Sequence, residues 1–402
     1  MKILLVNKFH YLRGGSEKYY FELANLLKSK GHTVAFFSMK HKENITTGDK
    51  EYFVDEIDLN TGSKFKAFDV IYSKTNKELM TKALEDFKPD IVHINNFQRQ
   101  LSASIIDAIK EKNIPIVMTA HDLNPICPAS IMLYDGKPCE DCLTKGYTQC
   151  IKKKCNKGSA LKSIIGYAEK KYYDCHKVFK KVDCIISPSE FNKNQLVKGK
   201  LNCNDIKVLH NFVNKSEHKD YVLGDYAFYF GRLSKEKGIL NLIEAIKDIP
   251  NSKLLIAGDG PEKENIEAYI EKHNLGDRIT FLGYQNQDNI REYIRNSRFV
   301  VVPSVCYENC PYSVLETLEI GKPIIGSRLG GIPELIVDGE NGFLYKFDNV
   351  NELKKKLEIL FSQDETVDKF SAKSKVLYKQ KYSPEIYYKE LMKIYNKYLQ
   401  HE

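Results

Sequence analysis

Short apolar runs recur along the chain with segments of helical periodicity between them, and this alternation restricts the fold more than any other feature. The runs are continuously apolar instead of alternating with polar residues, which is typical of parallel strands covered by helices on both faces. In the first half, strands are predicted at ILLV (3–6), TVAFF (33–37), DIVHI (90–94), PIVMTA (115–120), DCIISP (183–188) and IKVL (206–209). The first half is therefore expected to consist of βαβ units.

The same alternation starts again after a polar stretch at residues 211–225. A second set of strands is predicted at YAFYFG (226–231), KLLIAG (253–258), RITFLG (278–283), FVVVP (299–303), PIIGS (323–327) and GFLY (342–345). A chain of 402 residues is long enough for two domains that each bury a core. The sequence thus predicts an α/β protein with two doubly wound domains in tandem.

Two helices at the ends of the chain have clear sequence signals. The segment SEKYYFELANLLKSKG predicts a helix that is capped by Ser16 and ends at Gly31. The last twenty residues predict an amphipathic helix with Leu391 and Ile394 among its apolar positions.

The net charge of +8 is concentrated in residues 151–182, which carry ten lysines against Glu169 and Asp174. A basic, partly apolar helix suits an anionic membrane surface or a phosphorylated lipid, although a solvated charged face explains the same pattern. No nucleic-acid recognition motif accompanies it, so nucleic acid is not expected as a partner. The start MKILLVN lacks the features of a signal peptide, so we expect a cytoplasmic chain, peripheral on the inner membrane face if this helix docks there.

Ten cysteines without a secretion signal argue against a disulfide framework. Five of them lie in a Cys-rich insertion at about residues 124–158 that shows no periodicity, and Cys139 and Cys142 have the C-x2-C spacing of a zinc-binding knuckle. A long insertion without periodicity needs something to organise it, and a bound metal ion is one candidate.

Candidate ligand-binding residues follow the predicted strands, at the sheet edge where doubly wound domains bind ligands. Gly14 and Gly15 precede the first helix, where uncapped amides attract an anion, although a Gly-Gly pair also makes an ordinary turn. G-x-G-x-x-G is absent, which disfavours a dinucleotide. His121, within TAHDL at residues 119–123, lies at the carboxyl end of a predicted strand and is a candidate for function or for structure. Arg232 and Lys237 share one loop and together suit a diphosphate.

The stretch CYENCPYSVLE, residues 306–316, places two carboxylates around a predicted helix start. Pro311 is favoured at a first helical position, so the helix is expected to begin between Glu308 and Glu316. Free amides at a helix start attract phosphate, whereas carboxylates accept hydrogen bonds from hydroxyls. A ligand with a central phosphate and hydroxylated sugars on both sides fits this pattern, which describes a nucleotide sugar.

These residues also resemble a known family. RLSKEKG from Arg232, GDGP from Gly258, FLG from Phe281 and the run PSVCYENCPYSVLETLEIGKPIIGSRLGGIPELIVDGENGF from Pro303 are similar to the retaining family 4 glycosyltransferases of GT-B architecture. The resemblance implies two Rossmann-like domains that face each other across a cleft. The implied domains are an acceptor-binding domain at 1–212, a donor-binding domain at 213–380, and a closing helix at 381–402 that crosses back onto the first domain.

The resemblance also implies roles for individual residues. Glu316 would bind the ribose hydroxyls of the donor, and Glu308 the hydroxyls of the donor sugar. Arg232 and Lys237 would hold the diphosphate, and His121 would approach the reacting end of the sugar. The other implied donor-binding positions are Gly14, Gly15, Gly283, Tyr284, Ser313 and Val314.

By the same resemblance, the sugar is transferred with retention of configuration and without a catalytic metal. Some family members carry a cysteine pattern that matches Cys127, Cys139, Cys142 and Cys155, which implies either a structural zinc site or reduced thiols. This chain reads ENCP from Glu308 where many relatives read E-G-F-G or E-G-F-P, so the contact with the donor sugar is expected to differ.

The implied substrates are a UDP- or GDP-linked sugar and a glycan or polyprenyl-diphosphate-linked acceptor. The reaction would serve the synthesis of a surface polysaccharide, such as lipopolysaccharide or capsule, or of a glycolipid. The alternative is a GT-B enzyme that makes a soluble glycoside.

Overall fold

The computed structural model describes residues 1–57, 68–216 and 222–399. Within these ranges the chain forms two compact units. The first comprises Met1–Met132, Cys139–His210 and the closing helix from Tyr387, and the second comprises Leu133–Pro138 and Asn211–Ile386. The main divisions thus fall after His210 and after Ile386, compared with predicted divisions after residues 212 and 380.

The first unit is built on a parallel sheet. Strands in residues 1–210 are β1 (Lys2–Asn7), β2 (Thr33–Met39), β3 (Lys50–Val54), β4 (Ile91–Asn96), β5 (Ile116–Thr119), β6 (Leu133–Tyr134), β7 (Lys137–Pro138), β8 (Cys184–Ser187) and β9 (Ile206–Val208). Seven of them pair in parallel in the order β3-β2-β1-β4-β5-β8-β9, while β6 and β7, which are assigned to the second unit, form a separate antiparallel hairpin. All six predicted strands are present. Strand β3 was not predicted, because KEYFV is short and partly exposed at the sheet edge.

Helices connect these strands. They are α1 (Gly15–Ser29), α2 (Lys74–Phe87), α3 (Ser104–Glu111), α4 (Asp141–Lys145), α5 (Thr148–Lys152), α6 (Ala160–Cys175) and α7 (Glu190–Lys198). The predicted serine cap of α1 is wrong. Gly14 is the N-cap residue and no side chain caps the helix, because the Ser16 hydroxyl donates instead to Glu17 Oε1 at 2.8 Å.

The second unit repeats the doubly wound plan. Its strands are β10 (Tyr226–Phe230), β11 (Lys253–Ala257), β12 (Ile279–Gly283), β13 (Phe299–Val302), β14 (Ile324–Ser327) and β15 (Gly342–Tyr345). Its helices are α8 (Ile239–Ile246), α9 (Lys263–Lys272), α10 (Gln287–Asn296), α11 (Tyr312–Ile320), α12 (Ile332–Leu335), α13 (Val350–Ser362) and α14 (Asp364–Leu377). The strands pair in the order β12-β11-β10-β13-β14-β15. Ala227 and Phe228 belong to different apolar clusters, so both faces of the sheet are covered.

The closing helix α15 (Pro384–Leu399) packs onto the first unit from Tyr387 onward. Its buried face is formed by Tyr387, Leu391 and Tyr395, which are four residues apart and at most 2% exposed. The Tyr395 hydroxyl contacts His93 Nδ1 at 2.5 Å, and the Tyr387 and Tyr19 hydroxyls hydrogen-bond to each other. The tyrosines are buried because their hydroxyls find partners on the sheet and on α1.

The helices in the described part of the chain include none that combines the length and the apolar character needed to cross a bilayer.

Close backbone packing fixes the loops at the carboxyl edge of the second sheet. A Cβ atom on Gly258 would lie 1.9 Å from the Gly231 carbonyl oxygen. A Cβ atom on Gly330, whose φ is +63°, would lie 2.4 Å from the Glu308 carbonyl oxygen. The Gly331 N–H donates to that same carbonyl at 2.6 Å. The loop that carries Glu308 is thus held in place by a backbone contact that only glycine permits.

Alanine substitutions at two glycines distinguish the packing of Gly330 against Glu308 from the strain that a positive φ alone causes. Gly339 also has a positive φ, of +80°, but nothing lies within 4 Å of a Cβ atom there. Gly339→Ala is expected to lower the free energy of unfolding by about 1 to 2 kcal/mol. Gly330→Ala is expected to lower the free energy of unfolding by roughly 1 to 3 kcal/mol more than Gly339→Ala does, because the Glu308 backbone must move. Urea unfolding of both variants measures the difference, and equal losses would contradict the packing account.

Candidate functional site

The strand order changes direction between β10 and β13, and doubly wound sheets bind ligands at such a point. The loop after β10 carries Arg232 and Lys237, and the loop after β13 carries Glu308. The Val305 N–H donates to the Glu236 carbonyl at 2.9 Å, so the two loops are joined by a backbone hydrogen bond. The structure therefore brings three of the predicted site residues to one edge of the second unit.

Lys237 and Glu308 form a salt bridge at this edge. Lys237 Nζ lies 2.5 Å from Glu308 Oε1, and the Ser304 hydroxyl donates to the same oxygen at 2.8 Å. The side chains of Lys237 and Glu308 are 30% and 16% exposed, so the pair is partly shielded from water. Two charges that are partly shielded from water attract each other more strongly than two charges on an exposed surface.

The pair is fully ionised at neutral pH. Burial alone would raise the pKa of Glu308, but the Lys237 charge and the hydrogen bonds from Lys237 and Ser304 outweigh burial and lower the pKa. Burial alone would lower the pKa of Lys237, but the adjacent Glu308 carboxylate outweighs burial and raises the pKa. Each group thus stabilises the charged form of the other.

Arg232 is the second cation of the loop, and its side chain is exposed. Within residues 1–57, 68–216 and 222–399 it forms no salt bridge or side-chain hydrogen bond. Its backbone is fixed, because its carbonyl accepts from the Tyr229 hydroxyl at 3.0 Å and the next residue, Leu233, donates to the Asp259 carbonyl at 2.9 Å. A fixed loop thus presents a guanidinium that can bind an anion.

Helix α11 begins between the two glutamates, as predicted, but one residue later than expected. Pro311 is the N-cap residue and the first helical residue is Tyr312, because Pro311 has an extended ψ of 128°. No side chain caps the helix. The Val314 N–H donates to the Pro311 carbonyl at 3.1 Å, whereas the Ser313 N–H has no acceptor among the described residues. Of the two amides in the prediction, the Ser313 N–H is thus the one available to a ligand.

The remaining predicted donor-binding residues of this unit lie at different depths. Glu316 is in the second turn of α11 and is 4% exposed. Gly283 ends β12 with a φ of +66°, and its carbonyl accepts from the Gly258 N–H at 2.8 Å. Tyr284, the next residue, is 81% exposed. An exposed ring after a fixed strand end suits stacking against a planar base.

In the first unit, Gly14 and Gly15 are exposed at the start of α1, and no side chain caps this helix. Gly14 has an extended φ of −176°, and a Cβ atom there would approach only Glu17 Oε2, at 3.9 Å. The backbone conformation thus does not itself require glycine at position 14.

His121 follows β5 and is half-buried. Its Nε2 lies 2.9 Å from Asn95 Oδ1, and because an amide oxygen only accepts, Nε2 is the donor. The Tyr19 ring packs edge-on against the imidazole at 4.6 Å between centroids. Burial lowers the pKa of His121 to about 3, so the ring is neutral at physiological pH. His121 is therefore a neutral polar group rather than a cation.

The Cys-rich insertion folds into β6, β7, α4 and α5 and is held by polar contacts. Lys153 Nζ lies 2.5 Å from Asp141 Oδ2 and 3.5 Å from Cys139 Sγ. Burial, together with the smaller effect of the neighbouring cysteines, raises the pKa of Cys142 to about 12. Among the residues that the structure describes, no group of three or more His, Cys, Asp or Glu is arranged to hold a metal ion. The zinc site at Cys127, Cys139, Cys142 and Cys155 stays a prediction.

Comparison with protein families accounts for this arrangement. Residues 13–217 match the model of Glycosyltransferase Family 4, and residues 213–376 match the model of Glycosyl transferases group 1. The chain belongs to glycosyltransferase family 4. An uncharacterised glycosyltransferase of Methanocaldococcus jannaschii is 38% identical over 186 residues, which is 46% of this chain and 51% of the relative. The chain thus spans about half the length of this curated relative.

Solved structures share the fold of this glycosyltransferase over almost the whole chain. Sucrose-phosphate synthase from Thermosynechococcus elongatus has a TM-score of 0.75 at 18% identity, and covers 98% of both chains. Anabaena HepE, solved in complex with UDP, has a TM-score of 0.70 at 15% identity over 99% of this chain and 100% of its own. The predicted family and the predicted α/β GT-B fold class are confirmed.

The sequence reading of this glycosyltransferase missed two polar residues at the candidate sites. Ser304 holds the Glu308 carboxylate, and Asn95 orients His121. Ser304 lies two residues after β13, as His121 lies two residues after β5, and Asn95 is the penultimate residue of β4. Position at a strand end would therefore have identified them.

Removal of Lys237 tests the ion pair through the pH dependence of stability. In the wild type, the lowered pKa of Glu308 gives a stability contribution that is present above the unfolded pKa of about 4.3 and is lost as pH falls. In Lys237→Met only the Ser304 hydrogen bond still opposes the effect of burial, so the pKa of Glu308 is expected to rise above that value. Stability should then fall as pH rises from about 4.3, with a loss of roughly 1 to 3 kcal/mol at neutral pH.

The control is Lys253→Met, since Lys253 and Asp225 form an exposed pair at 2.6 Å. Urea unfolding across the pH range should show no comparable change for this variant. A Lys237→Met profile that runs parallel to the wild-type profile would contradict the proposed coupling.

Proposed function

We propose that this glycosyltransferase moves a sugar from a nucleotide-diphosphate sugar to a glycan or lipid-linked acceptor, with retention of configuration and without a catalytic metal. The product would serve a surface polysaccharide or a glycolipid. The observation that carries the proposal is the joint placement of Arg232, Lys237 and the uncapped start of α11 at the switch point of the second sheet. Two cations and a free amide favour a diphosphate at this point.

The proposed roles follow from the chemistry of each group. Arg232 binds two diphosphate oxygens through its planar guanidinium, and Lys237 and the Ser313 N–H bind others. Glu308, fixed by Lys237 and Ser304, accepts hydrogen bonds from the hydroxyls of the donor sugar. Glu316 accepts hydrogen bonds from the ribose hydroxyls.

In the proposed reaction, the bond between the anomeric carbon and the diphosphate oxygen breaks, and its electron pair stays on that oxygen. Arg232, Lys237 and the Ser313 N–H stabilise the growing negative charge, and they need no rearrangement because the loops are already fixed. The acceptor oxygen bonds to the anomeric carbon on the same face, and its proton passes to the leaving diphosphate. The fixed cations supply the charge that a metal ion supplies in other enzymes.

In the first unit, we propose that His121 contacts the reacting sugar as a neutral hydrogen-bonding group. Burial keeps the imidazole uncharged, and Asn95 accepts from Nε2 and fixes the orientation of the ring. The exposed amides at Gly14 and Gly15 are proposed to bind an anionic oxygen of the donor.

For the donor nucleotide, we propose UDP or GDP with the base beside Gly283 and Tyr284. Support comes from the exposed Tyr284 ring and from HepE, which has been solved with UDP. For the acceptor, we propose a glycan or a polyprenyl-diphosphate-linked glycan, used by an enzyme that is peripheral on an anionic membrane. A structural zinc site in the Cys-rich insertion remains a hypothesis beside this proposal.

Release of nucleotide diphosphate from UDP-, GDP- and ADP-sugars, with a chelator present, tests the proposal. The wild type is expected to hydrolyse one class slowly. Arg232→Ala is expected to lower kcat about 100-fold, because a preorganised donor to the leaving group is lost. Its thermal stability should not change, since the Arg232 side chain has no partner in the described part of the chain. Lys235→Ala is the matched control, as Lys235 is an exposed cation of the same loop, and should retain the wild-type rate within about twofold.

The proposal fails if no nucleotide sugar binds at millimolar concentration. It also fails if Arg232→Ala and Lys235→Ala release nucleotide diphosphate at the same rate as the wild type.

A further inference from the structure

Helix α6 buries polar residues and exposes apolar ones, the reverse of an ordinary surface helix. Leu161 and Ile164 are 68% and 47% exposed. Later in the same helix, Glu169 and Lys170 have no exposed surface. Such a helix is stable only if its buried polar groups have hydrogen-bond or charged partners. An exposed apolar face marks a candidate binding surface.

The buried charges of α6 do have partners within the first unit. Lys170 Nζ donates to Asn124 Oδ1 at 2.7 Å and lies 4.6 Å from the centre of the Tyr173 ring. Glu169 accepts from the Tyr173 hydroxyl at 2.8 Å and lies 4.0 Å from Arg99 Nε. The contacts to Asn124 and Arg99 fix the rotation of the helix, because turning the apolar face inward would expose the Tyr173 ring and separate Lys170 from Asn124 and Glu169 from Arg99.

Lysines lie just before the apolar face. Lys152, Lys154 and Lys157 are exposed, and none of them forms a salt bridge with any residue that the structure describes. The turn between α5 and α6 is anchored by Asn156, whose N–H donates to the Ser163 hydroxyl at 3.2 Å and whose Oδ1 accepts from Arg99 at 3.3 Å. The anchored turn thus presents exposed positive charge in the residues that precede Leu161.

We propose that the α6 face, defined as Leu161, Ile164 and the lysines 152, 154 and 157, docks onto the surface of an anionic lipid bilayer. Apolar side chains flanked by unpaired cations match a lipid interface, where acyl chains lie below negative head groups. A second copy of this chain fits less well, because it would oppose the same lysines with like charge. The proposal rests on the proposed function and assigns the membrane contact to defined residues.

The buried face of α6 connects the docking surface to the candidate acceptor side. Asn124, which accepts from Lys170, also donates its N–H to Asp122 Oδ1 at 2.8 Å. Asp122 follows His121 directly. Docking of α6 would therefore fix the loop beside His121 relative to the membrane, where a lipid-linked acceptor resides.

Vesicle flotation of the full chain tests the proposal. The wild type is expected to float with phosphatidylcholine vesicles that contain phosphatidylglycerol, and not with phosphatidylcholine alone. Leu161→Ser/Ile164→Ser is expected to lower the partition coefficient about tenfold, because the inserted apolar area is lost. Lys154→Gln/Lys157→Gln is expected to lower it roughly fivefold per lysine. Val376→Ser is the matched control, since Val376 is 49% exposed on α14 of the second unit.

Three results would overturn the docking proposal. They are absence of wild-type binding to anionic vesicles, equal partition of the wild type and Leu161→Ser/Ile164→Ser, and loss of a dimer in Leu161→Ser/Ile164→Ser during sedimentation without lipid. Release of nucleotide diphosphate is measured on the same preparations. A chain that hydrolyses a nucleotide sugar but does not bind vesicles contradicts only the docking proposal, whereas a chain that binds vesicles but no nucleotide sugar contradicts only the proposed function.

Discussion

The salt bridge between Lys237 and Glu308 is the interaction on which the candidate donor site depends. It joins the loop after β10 to the loop after β13, and it keeps both side chains charged although they are partly buried. Either charge alone would be unfavourable at this position. The free-energy cost of removing an unpaired charge from water is several times the stabilisation that an exposed salt bridge provides. The Gly330 contact and the Ser304 hydroxyl then leave the Glu308 loop little freedom. The site is thus preorganised before a ligand arrives.

Much of the fold could be predicted from the sequence, because strands buried on both faces leave continuous apolar runs. All twelve predicted strands are present, with ends shifted by at most two residues. The edge strand β3 could not be recognised, since its residues are only partly buried and show no such run. The starts of α1 and α11 differ from the predictions because of local hydrogen bonding and backbone conformation. Ser16 bonds to Glu17 instead of capping α1, and Pro311 lies one residue before α11.

The candidate site was predictable as a set of residues but not as a set of contacts. The sequence indicates that a helix start separates Glu308 from Glu316, and the structure agrees. It does not indicate that Lys237 neutralises Glu308, because that contact joins residues 71 positions apart. The orientation of α6 was equally hidden. Periodicity indicates the faces of a helix, whereas the burial of Lys170 and the exposure of Leu161 depend on the hydrogen bond from Lys170 to Asn124, which lies outside α6 and 46 positions away in the chain.

A crystal structure of the full chain with UDP tests the central claim most directly, since it locates the leaving group. We expect diphosphate oxygens within about 3 Å of the Arg232 guanidinium, Lys237 Nζ and the Ser313 N–H. We further expect that Lys237 keeps its contact with Glu308, because the carboxylate is needed to hold the lysine charged and in place. A diphosphate bound away from both cations, or held through a metal ion instead of through them, would contradict the account.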